Sequence, residues 1–247
     1  MDVKENYLRA IKRNYPDWFP YGEDEATVVV LPAVVERPPI AGKDAFGVEW
    51  SFSDDTEGGT YPSENNLVLT DLMKWSEQVI FPNIDSLDWA TIENKAATID
   101  RSKYIVGAFS EMGIFERAYL LMGMENALVA YMEEPELMYE LCGAIADYKI
   151  KLLTRYHEAV KFDICWYGDD WGTQANLFVS PQVWREIIKP HTKRIYNCLH
   201  ELGALINQHS CGKIESIFAD LVEIGADICT PRKPNQVRRQ RLVWGGE

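Results

Sequence analysis

The chain has 247 residues, 47% of them hydrophobic and 26% charged, which is typical of one globular domain with a sizeable core and excludes a disordered or fibrous protein. Its formal net charge of −13 disfavours nucleic-acid partners and highly anionic substrates, because both need a basic surface. With no membrane-length apolar run, no secretory signal and five irregularly spaced cysteines, we expect no membrane partner, no disulfide framework and a cytoplasmic location.

The N-terminal part of the chain, residues 1–100, is rich in turn signals and poor in regular elements. One convincing strand is predicted at 27–35, where the sequence reads TVVVLPAVV. Loops follow, then a helix around 70–80 and a short amphipathic segment at 88–97. This irregular part therefore contributes the first strand of the fold.

From residue 103 onward the apolar pattern becomes regular, and predicted strands alternate with predicted helices. The strands are expected at 103–109, 162–170, 204–211, 226–231 and 241–246. The helices are expected at 134–160, 180–203 and 213–225. In the second of these helices, Ser180 and Pro181 are suited to the N-cap and first position, Pro190 should cause a kink, and Gly203 should end it.

Strands that alternate with helices at this spacing indicate βαβ units and a parallel sheet. An open doubly wound sheet and a (β/α)₈ barrel both satisfy the pattern, but no G-x-G-x-x-G follows the first strand. Polar, aromatic and sulfur residues gather at strand ends, where a barrel carries its chemistry. We therefore predict an α/β protein with a TIM (β/α)₈-type barrel, formed by a single domain, 1–247, whose regular βα repeats begin near residue 101.

The segment QHSCG contains a histidine and a cysteine two positions apart. On a strand, residues i and i+2 point to the same side, so His209 and Cys211 could both reach one zinc ion. A helix beginning near Lys213 would direct its positive end at Cys211 and favour a thiolate. From the spacing alone, a hydrogen-bonded histidine and a small buried thiol explain the same residues. A metal site needs a third ligand.

Cys229 is the best candidate for that third ligand, because it lies near the end of the next predicted strand. If Ala226 and Ile228 face the outer helices, alternation turns Asp227 and Cys229 toward the interior. A core cysteine is the alternative interpretation.

A second unusual stretch, CWYGDDWGTQ, places two adjacent acids and a glutamine among aromatic residues just after a strand. Such polar groups are costly to bury without partners. Asp169 and Asp170 are candidates for a general acid or base, and Tyr167 and Gln174 for substrate contact. The competing interpretation is that Asp169 or Asp170 caps a helix or loop.

Taken together, the segments YIVGAF, FDICWYGDDWGTQANLFVSPQVWREIIKPHTKRI and GALINQHSCGKIESIFADLVEIGADI resemble the uroporphyrinogen decarboxylase superfamily. The likeness begins at the opening ENYLRAIKRNYPDWFP and is clearest over 103–231. This superfamily of TIM barrels includes true decarboxylases and cobalamin-dependent methyltransferases. The resemblance implies one of these two chemistries.

The residues are closer to the methyltransferase branch. True decarboxylases carry an arginine-rich segment after the first strand, where this chain has PAVVERPPIAG, and an F-S-D motif after the second strand. Here SFSDDTEGG is not clearly preceded by a strand, although Tyr119 matches a substrate-contacting tyrosine of the decarboxylases. The methyltransferases are marked by H-x-C and a later cysteine that bind zinc, and His209 and Cys211 match that motif.

The resemblance therefore implies a zinc-dependent methyltransferase that moves a methyl group to or from a corrinoid carried by a partner protein. A small-molecule methyl donor or a thiol acceptor would be its other substrate, and a homo-oligomer is a further expectation. The alternatives are a cofactor-free decarboxylase and an incomplete, non-catalytic family member. The last arises because family members are longer, so that the barrel is expected to lack its last βα unit.

Overall fold

The structure, a computed structural model, describes residues 1–20, 26–53, 59–63 and 66–230. Eight strands are found in this part of the chain, and they are, in chain order, β1 (Thr27–Val30), β2 (Gly42–Lys43), β3 (Glu49–Phe52), β4 (Thr60–Pro62), β5 (Ile105–Ser110), β6 (Ile164–Gly168), β7 (Leu205–His209) and β8 (Ile228–Thr230). The α-helices are α1 (Val3–Ile11), α2 (Trp75–Gln78), α3 (Trp89–Ala97), α4 (Ile114–Met122), α5 (Met124–Glu133), α6 (Pro135–Val160), α7 (Pro181–Val183), α8 (Lys189–Glu201) and α9 (Phe218–Ile224).

The main sheet has five strands in the order β1-β5-β6-β7-β8, and every neighbouring pair is parallel. The strands of the main sheet therefore lie side by side in chain order, and each new strand is added at the same edge of the sheet. Because such crossovers are right-handed, this order places the connecting helices on one face, as in a barrel wall. The predicted parallel α/β sheet is confirmed. Closure into a barrel stays a prediction, and the strand expected at 241–246 lies outside the described residues.

The two faces of the main sheet have different surroundings. Tyr167 and Gln208 point toward the helices, where both meet Tyr196 of α8. The opposite, inner face carries Phe109, Trp166 and His209, since alternation turns these residues the other way. The hydrophobic core lies between the sheet and the helices, and functional side chains are therefore expected on the inner face and at its C-terminal rim.

The predicted regular elements agree with the structure except at their ends. The first strand stops at Val30 because Pro32, which has no N–H, follows it closely. The helix predicted at 180–203 is capped by the Ser180 hydroxyl as expected and is closed by Gly203, whose φ is 82°. The disturbance expected at Pro190 takes the form of a π-helical turn at 184–188, in which the Lys189 N–H bonds the Trp184 carbonyl.

Several elements were not predicted. A small antiparallel sheet, β2-β3-β4, is formed within the part expected to be loops. Helices α4 and α5 fill the region between β5 and α6. Helix α1 packs its Tyr7 against Ile105 and Ile164 at the N-terminal end of the inner face. Among the described residues, no helix is both long and apolar enough to cross a lipid bilayer.

Candidate functional site

Three potential metal ligands meet at the C-terminal ends of β6 and β7. One ligand atom each of Asp170, His209 and Cys211 lies within 4.8 Å of the others. The Cys211 Sγ is 3.5 Å from the His209 Nε2, and the Asp170 Oδ1 is 3.6 Å from the same nitrogen. An imidazole nitrogen, a thiolate and a carboxylate oxygen are the donors that zinc takes in proteins. The chemistry of this donor set therefore fits zinc.

The His209 ring is held in an orientation that suits metal binding. Its Nδ1 lies 2.8 Å from the Thr230 carbonyl oxygen, a contact that requires the proton on Nδ1. The Nε2 lone pair then faces Cys211 and Asp170. The ring also stacks on Trp166 at 4.7 Å between centroids, and Trp166 stacks in turn on Phe109 at 4.5 Å. A hydrogen bond and a row of aromatic rings thus fix the imidazole.

The loops that carry Asp170 and Cys211 are joined backbone to backbone. A Cβ added at Gly212, whose φ is 76°, would lie 2.2 Å from the Gly172 carbonyl carbon, and one added at Gly172 would lie 2.6 Å from the Lys213 nitrogen. The Lys213 N–H donates to the Thr173 carbonyl at 2.8 Å. The Cys211 N–H donates to the Asp170 Oδ1 at 2.6 Å. Only glycine permits this approach, which sets the distance between the two ligands.

Cys211 does not lie on a strand, as the sequence had suggested. β7 ends at His209, and the chain then turns at Gly212. The helix expected from Lys213 begins only at Phe218, after a 3₁₀ turn at 215–217, so the predicted action of its dipole on Cys211 is wrong. The turn nevertheless brings the Cys211 thiol to 3.5 Å from the His209 Nε2.

The predicted orientation of Cys229 is also wrong. Cys229 pairs in register with Gln208, whereas His209 pairs with Thr230, so Cys229 points to the helix-covered face. Burial raises the pKa of its thiol to about 11. The structure therefore does not bring Cys229 to Asp170, His209 and Cys211.

Tyr167 and Gln174 lie away from this group as well. Tyr167 is fully buried between the sheet and the helices, and its ring meets Tyr196 edge-on. Gln174 is exposed in a turn that Thr173 and Asn176 stabilise through hydrogen bonds. Substrate contact by either residue stays a prediction.

Asp169 caps a helix from a distance. Its carboxylate accepts the N–H groups of Phe115 at 3.1 Å and Glu116 at 2.9 Å, at the start of α4, and the Trp171 indole N–H at 2.9 Å. The side chain is fully buried, and no side chain of the helix itself caps this end. These contacts match the capping interpretation and leave Asp170 as the acid that faces the ligand group.

A second buried acid, Glu116, adjoins this cap and was not predicted. Burial, followed by the charges of Asp169 and Asp170, raises the pKa of Glu116 to about 8. Burial also raises the pKa of Asp169, but three N–H donors favour its charged form, so we infer that Glu116 holds the proton. The Tyr119 hydroxyl lies 3.4 Å from the Glu116 carboxyl, and burial raises the pKa of Tyr119 above its ordinary value.

This buried acid should make stability depend on pH. Because the folded pKa of Glu116 lies near 8 and its ordinary value is 4.5, the folded protein binds more protons than the unfolded chain between these values. The stabilisation is complete below pH 4.5 and is lost as the pH rises toward 8. We expect urea denaturation to show this decline, and Glu116→Gln to make it smaller; the part that remains comes from Asp169, whose pKa burial also raises. The exposed Glu125→Gln should leave the decline unchanged; a flat profile for the unsubstituted protein would contradict the assignment.

The F-S-D segment has a different setting from the one expected. Strand β3 ends at Phe52, so a strand does precede SFSDDTEGG, and the expectation to the contrary is wrong. That strand belongs to the small antiparallel sheet rather than the main sheet. Residues 54–58, which include the acids of the segment, lie outside the described residues.

Comparisons with known proteins give the family of the chain. No curated protein sequence matches the chain. The family model described as uroporphyrinogen decarboxylase (URO-D) matches residues 86–237, more than half of the chain. The matched range includes β5 to β8 and the three potential ligands Asp170, His209 and Cys211. The chain therefore belongs to the uroporphyrinogen decarboxylase family.

Proposed function

We propose that this chain is a zinc-dependent methyltransferase that moves a methyl group to or from a corrinoid protein. The observation that supports the proposal is the group formed by Asp170, His209 and Cys211, with the Nε2 of His209 directed at the other two. In this proposal Asp170 replaces Cys229 as the third zinc ligand. A fourth position would accept the substrate, as catalytic zinc sites require.

When bound, zinc would act as a Lewis acid and lower the pKa of a substrate thiol, so that a thiolate is available as nucleophile. The chain's own residues position the reaction. Thr230 and Trp166 orient His209, and the Gly172–Gly212 contact holds Asp170 beside Cys211. The thiolate sulfur would bond to the methyl carbon as the cobalt–carbon bond of the corrinoid breaks, with both electrons of that bond left on cobalt; in the reverse direction the reduced cobalt would take the methyl group and release the thiolate. The corrinoid would be supplied by a separate protein.

Zinc content tests the ligand set. We expect close to one zinc ion per chain after dialysis against buffer, and a loss of that zinc in Cys211→Ser, His209→Ala and Asp170→Asn, because each change removes one donor. Cys229→Ser is the matched control, since Cys229 points to the other face of the sheet and should leave the zinc in place. A folded, zinc-supplemented protein without zinc would contradict the proposal, and loss of zinc in the control alone would reinstate Cys229 as a ligand.

Decarboxylation is the second candidate, and one observation favours it: Tyr119, which matches a tyrosine of the decarboxylases, contacts the buried Glu116 at the rim. The F-S-D segment does not favour it, because β3, which ends at Phe52, belongs to the small antiparallel sheet. The arginines do not favour it, because Arg117 is fully buried against Asp44 and Arg37 bonds the Thr60 carbonyl. Metal-independent turnover of uroporphyrinogen would establish this candidate. Methyl transfer between a methylated corrinoid and a thiol, lost with the zinc, would exclude it.

A further inference from the structure

Five buried polar atoms lie near the C-terminal ends of β5 and β6, and one of them is a carboxylate oxygen of Glu36. They are the Glu36 Oε1, the Ser110 Oγ, the Arg117 Nε and the hydroxyls of Tyr148 and Tyr167, and none has a hydrogen-bond partner among the described residues. We call these five residues the Glu36 cluster. Buried polar atoms in folded proteins are rarely left without a partner.

One hydrogen bond, one strand register and the influence of the Glu36 charge relate the members to one another. The Arg117 Nη2 donates to the Glu36 carbonyl at 3.3 Å. Ser110 and Tyr167 are register partners on neighbouring parallel strands, so their side chains project side by side toward the helices. After burial, the Glu36 charge is the largest influence that raises the pKa of Tyr148, and it also contributes to the raised pKa of Tyr167.

Two members of the cluster, Glu36 and Arg117, each belong to a buried ion pair. The Lys149 Nζ lies 2.5 Å from the Glu36 Oε2, and the Arg117 Nη1 lies 2.7 Å from the Asp44 Oδ2. A buried pair stabilises a fold only when the remaining lone pairs and N–H groups are also hydrogen-bonded. The Glu36 Oε1 and the Arg117 Nε are the groups left over, one an acceptor and the other a donor.

We propose that the Glu36 cluster binds ordered water and that this water completes the hydrogen bonding of the two ion pairs. Water suits the cluster because it can donate to the Glu36 Oε1, accept from the Arg117 Nε and do either with the three hydroxyls. One buried water makes about three hydrogen bonds, so five atoms need about two molecules. The site is distinct from the zinc-ligand group, and the proposal does not depend on the proposed function.

Tyrosine-to-phenylalanine variants, which remove a hydroxyl, test the proposal through the change in melting temperature. If water bonds the hydroxyls, Tyr148→Phe and Tyr167→Phe should each lower the melting temperature by about 2–4 °C, because each removes a satisfied buried hydrogen bond. The control is Tyr15→Phe, the same substitution at a tyrosine that is 88% exposed. Because bulk water bonds that hydroxyl in the folded and the unfolded chain alike, the change should leave the melting temperature unchanged.

A high-resolution crystal structure of the unsubstituted protein provides the second measurement. We expect density for at least two water molecules within hydrogen-bond distance of the Glu36 Oε1 and the Tyr167 hydroxyl. Two outcomes would overturn the proposal: cluster atoms bonded directly to one another with no water between them, or Tyr148→Phe and Tyr167→Phe variants whose melting temperature is unchanged, as in Tyr15→Phe, or raised.

Discussion

Lys149→Met is expected to lower the free energy of unfolding by about 3–5 kcal/mol, as measured by urea denaturation. The Lys149 ammonium is completely buried and pairs with Glu36, whose side chain is 4% exposed. Removal of the cation leaves the carboxylate buried without its counter-charge. The Lys149 Nζ also donates to the Glu111 carbonyl at 2.7 Å, and that bond is lost with it. Helix α6, which carries Lys149, should therefore lose its charged contact with the segment after β1.

Lys151→Met is the matched control, two residues along the same helix. Lys151 pairs with Asp85 at 3.4 Å, but both side chains are mostly exposed, so the expected cost is about 0–1 kcal/mol. The double variant Lys149→Met with Glu36→Leu should recover much of the loss, because no buried charge then remains unpaired. Equal costs for the two lysine variants would show that the Lys149–Glu36 pair is not buried in solution.

Gly113→Ala is expected to destabilise the protein by more than about 3 kcal/mol, in the range of severe overpacking. A Cβ at this position would lie 2.4 Å from the Cβ and Cγ of Asp169, and neither atom can move away while its carboxylate caps α4. The clash should break the cap and shift Asp170 with it. We therefore expect zinc binding to weaken together with stability, measured by thermal unfolding and by zinc titration.

Gly203→Ala provides the comparison for this steric effect. Gly203 has a left-handed backbone, with φ of 82°, but a Cβ there would meet no atom within 4 Å. Its expected cost is only the backbone strain, about 1–2 kcal/mol, and zinc binding should be unaffected. A Gly113→Ala variant as stable as Gly203→Ala would contradict the packing of Asp169 against α4.

Elements with long apolar patterns could be predicted from the sequence, and those stabilised by distant contacts could not. Helix α6 spans 26 residues with apolar positions on helical spacing, and it was predicted almost to its ends. Helix α4 lacks a capping side chain of its own, since its N-cap is Gly113. The cap is supplied by Asp169, which lies far along the chain, so no local pattern signals it. The short strands β2 to β4 are likewise too brief for alternation to be recognised.

The candidate site shows the same division. The spacing of His209 and Cys211 suggested that both could bind one metal ion. The structure brings the two side chains together, although through a turn rather than along a strand. Alternation correctly paired Asp227 with Cys229 on one side of β8, but it could not tell which side the helices cover. Asp170 could not be separated from Asp169 by sequence, because their roles depend on whether α4 or β7 lies beside each carboxylate.

The Gly172–Gly212 contact has a consequence for how the site can move. Two loops whose backbones touch, and which Lys213 and Trp171 tie together through hydrogen bonds, cannot swing apart one at a time. Asp170 and Cys211 should thus travel as one rigid body, with no hinge between them.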